Sequence, residues 1–139
     1  MKRMISLIAG CLISICVNAQ SCDSIKVIEV VDGDTLRASI NGLPEPLNRV
    51  LIRVNGIDTP EIKGKCRKEK EMALAAKKFL SDELSRTNAI SLIDLKWDKY
   101  GGRILADVYF DEESVSDLLI ENGFAVPYHG EKKIDHWCK

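Results

Sequence analysis

The hydrophobic period of this chain changes three times, from two residues to about 3.6, back to two and again to about 3.6, and no other feature restricts its fold as much. Residues 25–31 and 35–40 are rich in β-formers, and Leu36, Ala38 and Ile40 alternate with Thr35, Arg37 and Ser39. Residues 49–55 alternate again, with Val50, Ile52 and Val54 on one face and Leu51, Arg53 and Asn55 on the other, so Arg53 points away from the aliphatic side. Over 68–84 the period lengthens: Met72, Ala75, Ala76, Phe79 and Leu80 fall on one stripe of an amphipathic helix. Strands are predicted at 89–97 and 103–110, the latter with Ile104, Ala106, Val108 and Phe110 on a common face. A short helix follows, opened by Ser114 with Asp117 three residues on and closed by Gly123, with Val115, Leu118 and Leu119 as its apolar face. Asp32-Gly33-Asp34 between the first two strands is a hairpin signal, the glycine being expected to accept a positive φ. Three strands, a helix, two strands and a helix make an α+β chain. The order fits a five-stranded OB-fold, a Greek-key β-barrel, with two helices.

The first segment reads as an address. Lys2 and Arg3 precede an uncharged apolar run, Ile5 to Val17, and Val17-Asn18-Ala19 fits a small-residue cleavage site. Residues 1–19 are therefore expected to be a signal peptide, with 20–139 a single exported domain, secreted or periplasmic. Ile8-Ala9-Gly10-Cys11 offers a second reading, a lipid anchor through Cys11. Removing the leader takes two of the 20 basic residues and leaves 18 against 21 acids, a formal charge of −3. A broad electropositive surface is thereby excluded, so any nucleic-acid role must rest on a few placed arginines and a metal. The thiols left are Cys22, Cys66 and Cys138, spaced wrongly for a zinc site. The expected pairing is Cys66 with Cys138, tying the segment after residue 61 to the tail and leaving Cys22 free.

Four acids stand in two irregular segments: Asp32 and Asp34 in the first turn, Asp58 and Glu61 in Ile57-Asp58-Thr59-Pro60-Glu61. Arg53 lies five residues before Asp58, and Arg103 follows the turn from Asp98 to Gly102. Phosphodiester chemistry uses these types: carboxylates hold a hard cation or activate water, and guanidinium groups bind phosphate bidentately. Each motif alone fits loop capping or an ordinary surface charge better than it fits chemistry.

Together and in order, they resemble the staphylococcal (micrococcal) nuclease family. Val31-Asp32-Gly33-Asp34-Thr35 matches its first motif. Arg53 with Ile57-Asp58-Thr59-Pro60-Glu61 matches the second, and Asp98-Lys99-Tyr100-Gly101-Gly102-Arg103-Ile104-Leu105-Ala106 the third. Glu121-Asn122-Gly123-Phe124-Ala125 resembles the end of the family's second helix. The resemblance implies a Ca2+-dependent endonuclease giving 3′-phosphorylated fragments of DNA or RNA. In that reading Asp34, Asp58 and the Thr59 carbonyl hold the ion and Glu61 is the general base. Arg53 and Arg103 clamp the phosphate, Arg103 also easing departure of the 5′-oxygen. Asp32 stands behind the ligands, Lys99 contacts phosphate, and Tyr128 offers a stacking platform. The loop before Arg103 is one residue longer than in the staphylococcal enzyme, through Gly102. Nucleic acid is the expected partner of a monomer with no membrane span.

Two other classes compete. A catalytically silent OB-fold module binding single strands would lack the acids or arginines that this chain keeps. A calcium-binding or adhesion module would leave both arginines without purpose. His129 and His136 are expected to be solvent-exposed, and Trp97 and Trp137 to be packing residues.

Overall fold

The computed structural model describes residues 25–46 and 48–139. Residues 1–19, expected to be a signal peptide, lie outside them with Cys11 and Cys22. The elements are β1 (Ile25–Asp32), β2 (Thr35–Ile40), β3 (Arg49–Val54), β4 (Ile57–Asp58), α1 (Arg67–Arg86), β5 (Ile90–Trp97), β6 (Arg103–Phe110), β7 (Glu113–Ser114), α2 (Val115–Glu121) and β8 (Val126–Pro127). The class is α+β. The main sheet runs β1-β2-β3-β6-β5 with β7 on β6, and β4 pairs with β8 in a separate ribbon. Among the described residues no ladder joins β1 to β5, so the sheet is an open path. It is mixed because β3 and β6 run parallel, with Leu51 opposite Arg103 and Arg53 opposite Leu105.

The alternation read from the sequence has a direct physical outcome. Leu36, Ala38, Ile52, Val54, Ala106 and Val108 face inward and are buried, while their neighbours along each strand are at most half-buried except Thr35, which is buried at the β1–β2 turn. Leu80 of α1 and Val115 and Leu119 of α2 close this core. The buried stripe of α1 is Glu69, Ala73, Ala76 and Leu80, rotated from the one expected: Ala75 is exposed, and Met72 and Phe79 are half-buried. Alanine suits either face, so the period alone did not fix the rotation.

The small side chain of Ala76 matters where α1 crosses the β1–β2 turn. A Cβ on Gly33 would meet Ala76 Cβ, Thr59 Cβ and Thr59 Oγ1, each at 3.1 Å. Gly33 is not among the glycines with positive φ. The hairpin is present, but the glycine serves close approach of turn, loop and helix rather than a left-handed backbone.

α2 begins at Ser114, whose Oγ accepts from Asp117 N at 3.3 Å. It ends at Gly123, φ 75°, with Phe124 N donating to Leu119 O at 2.9 Å. Trp137 is buried, as expected. Trp97 is not a packing residue: it is 75 % exposed. A register shift between Ile93 and Lys96 re-aims the end of β5, leaving Trp97 at the rim of a cavity. No described helix is long and apolar enough to cross a membrane.

Candidate active site

The chain turns back on itself directly after β3. Asn55 fixes this corner: its N donates to Ala106 O at 2.9 Å, its Nδ2 to Asp107 Oδ1 at 2.9 Å, and its O accepts from Ser116 Oγ at 2.8 Å. Gly56, φ 79°, then reverses the chain into β4. The reversal explains the five-residue offset between Arg53 and Asp58. Arg53 Nη2 donates to Ile57 O at 3.1 Å and lies 3.9 Å from Asp58 Oδ1. On its other side Arg53 Nη1 is ion-paired with Asp34 Oδ2. Val54 N donates to Asp34 O at 2.8 Å, so backbone as well as charge locks the first turn onto β3.

Both aspartates are buried. Asp34 Oδ1 accepts from Thr35 Oγ1 at 3.0 Å and Oδ2 from Thr59 Oγ1 at 2.8 Å. Burial pushes the Asp34 carboxyl above its ordinary range, and the Arg53 charge only partly opposes this. Asp58 Oδ1 lies 2.7 Å from Lys133 Nζ, yet receives no well-directed hydrogen bond. A buried carboxylate oxygen without a directed donor, beside a second buried carboxylate, is a donor set that suits a hard cation. Asp34, Asp58 and Thr59 therefore fit an ion chemically.

A cavity of about 1110 Å³ opens over this cluster. Asp34, Arg53, Thr59, Glu61, Lys99, Arg103 and Tyr128 all line it. Arg103 shares the cavity but is ion-paired at 2.5 Å with Asp98, not with Asp34, Asp58 or Glu61. Lys99 Nζ sits 5.0 Å from the Tyr100 ring centroid. Tyr128 is anchored by its N donating to Gly56 O at 2.9 Å. Glu61 is mostly exposed, and its Oε1 accepts from Lys133 Nζ at 3.0 Å.

Two residues at the site had not been anticipated. Buried Glu69 accepts from Lys65 N at 2.8 Å and Glu61 N at 3.3 Å, holding the loop that carries Glu61. A Cβ on Gly64 would lie 2.4 Å from Glu69 Cδ, so that glycine keeps the space open. The available signal was an acid three residues after the helix N-cap, Cys66. The second is Lys133, 72 residues from Glu61 in sequence, for which no local signal exists. Next to Glu69, Cys66 and Cys138 lie at bonding distance, with Cα atoms 5.9 Å apart. His129 and His136 are exposed.

An α+β domain that gathers carboxylates and guanidinium groups at one cavity is built to manage an anion and a cation together. The family described as staphylococcal nuclease homologue matches residues 51–137, and the chain belongs to that family. It is 33 % identical over 88 residues to a probable endonuclease of Schizosaccharomyces pombe, covering 58 % of this chain and 37 % of that protein. An uncharacterised protein of Methanocaldococcus jannaschii is 31 % identical over 126 residues, covering 74 % of this chain and 58 % of its own length. A third relative, an uncharacterised protein of Bacillus anthracis, is 28 % identical over 103 residues, covering 73 % and 45 %. The chain thus spans between about a third and three-fifths of these relatives.

Proposed function

We propose that this domain is a Ca2+-dependent endonuclease that hydrolyses DNA or RNA to 3′-phosphorylated products. The observation that carries the reading is Arg53 held between buried Asp34 and Asp58 and lining, with Asp34 and Arg103, one large cavity. Family membership and the printed name of the fission-yeast relative point the same way. We read the curled mixed sheet as an OB-fold type of barrel.

Asp34, Asp58 and the Thr59 carbonyl would hold the ion, which when bound supplies positive charge against the phosphate. Glu61, open to solvent at the cavity, takes the proton of the attacking water. A P–O bond forms to that water while the bond to the 5′-oxygen breaks; the 5′-oxygen leaves with the bonding pair and takes up a proton from solvent, and the phosphate stays on the 3′ side. Arg53 and Arg103 bind the equatorial oxygens as charge builds in the transition state. Lys99 and Tyr128 contact the flanking phosphate and base.

Calcium chelation should abolish cleavage of both DNA and RNA by the purified mature chain, and readdition should restore it. Undiminished cleavage in chelator, with contaminating nucleases excluded, would sink the calcium assignment. End-labelling of the fragments reads the 3′-phosphate.

Export through residues 1–19 belongs to the same proposal and would allow the Cys66–Cys138 bond to persist. Its reduction should lower stability by about 2–4 kcal/mol, because it closes a long loop. Denaturant midpoints with and without reductant measure this. Non-reducing peptide maps joining Cys22 to either partner would contradict the pairing.

A further inference from the structure

Lys133 belongs to no strand or helix, yet its ammonium stands among the acids of the site. Nζ lies 2.7 Å from Asp58 Oδ1 and 3.0 Å from Glu61 Oε1, and 6.0 Å from the Tyr128 ring centroid. It borders both the large cavity and a smaller one of about 250 Å³ beneath the tail, into which Asp58 also opens.

The tail delivering Lys133 is fixed from beyond. Trp137 is buried, Asp135 Oδ1 accepts from Trp137 N at 3.3 Å and Cys138 N at 3.1 Å, and Cys138 is bonded to Cys66 at the start of α1. Cys66 lies only eight residues after Asp58 in sequence. The cross-link therefore brings the tail to the same loop that carries Asp58 and Glu61, and keeps the local concentration of the ammonium high.

We propose that Lys133 is a further residue of the cation site: a counter-ion tethered through Cys66–Cys138 that competes with the divalent ion for Asp58. This rests on the cation reading above. Two positive charges cannot share one carboxylate oxygen without repulsion, so the ion must displace Lys133 when it binds. The tether then sets how costly that displacement is, and the redox state of the two cysteines sets cation affinity.

Calcium titration calorimetry on the whole mature chain, without nucleic acid, tests this. Lys133→Met keeps the aliphatic stem and removes the charge. It should tighten calcium binding on the order of five- to tenfold, while Lys133→Arg stays near the parent. Reducing the disulfide should tighten binding in the parent and change nothing further in Lys133→Met, with circular dichroism showing each protein folded. Equal or weaker affinity in Lys133→Met would overturn the proposal and leave the cation reading intact. A reduction effect of the same size in both proteins would also overturn it, because the tether would then act independently of Lys133. No saturable calcium binding in parent and variant alike would overturn the cation reading and this proposal with it.

Discussion

Glu61→Gln should slow phosphodiester cleavage by about 10²–10⁴-fold while leaving the fold and most nucleic-acid affinity in place. The amide has the shape of the carboxylate but cannot accept the proton of water. The substitution is structurally mild because the Glu61 side chain is 62 % exposed. The backbone N of residue 61 is held by Glu69, and glutamine keeps an oxygen that can still accept from Lys133 Nζ. Arg103→Ala should also lower turnover strongly with a smaller effect on ground-state binding, whereas Lys77→Ala on the outer part of α1 should do neither. A catalytically silent module makes the opposite prediction: no turnover in the parent, and salt-dependent loss of binding on changing Arg53 or Arg103. Equal rates for parent, Glu61→Gln and Arg103→Ala at saturating calcium would defeat the site assignments.

Arg53→Ala should cost both rate and stability. Its side chain is 12 % exposed and lies between two buried carboxylates, so truncation leaves Asp34 without its ion-pair partner and Asp58 with Lys133 alone. Breaking a buried pair in this way costs about 3–5 kcal/mol. Loss of a preorganised donor to the transition state costs about 10²–10³ in turnover. Arg53→Lys separates the two effects. It restores a positive charge, and hence much of the stability, but lacks the planar fork that reaches Asp34, Ile57 O and substrate together. Thermal unfolding and single-turnover rates on both variants check this. A lysine variant that recovers full rate would show that charge alone is used.

What could be read from the sequence was local. Period-two alternation located the inward faces of β2, β3 and β6 because each has a buried side and a wet one. The cap at Ser114 placed the start of α2, because capping is a contact across three residues. The stripe on α1 was misplaced, with Ala75 exposed and Ala73 buried, because alanine is small enough for either face and so carries no signal of the rotation. The two-residue ladder of β4 with β8 has no periodicity to detect. Lys133 was not identified as a partner of the site because it reaches Glu61 from 72 residues away through a contact only the fold supplies, whereas Glu69 carried a local signal in its place three residues after the N-cap. Trp97 was misread because an aromatic at a strand end looks like core until the bulge in β5 turns it outward.

The parallel register of β3 on β6 sets Arg103 level with Leu51, and Arg53 two residues further along the same face. Ladder hydrogen bonds therefore fix the diagonal between the two arginine stems at about 8 Å. The segment from Asp98 to Gly102 takes no part in that spacing: Asp98 N donates to Arg103 O across its neck, and Gly101 and Gly102, both with φ near 70°, absorb the slack. For a protein engineer this is a splice point. Residues added or removed between Lys99 and Gly102 would change what overhangs the cavity, and so which polymer ends or helices can enter, without moving the arginines. In the proposed nuclease, exchanging this one short loop would retune substrate range while the two arginines stay where the β3–β6 ladder puts them.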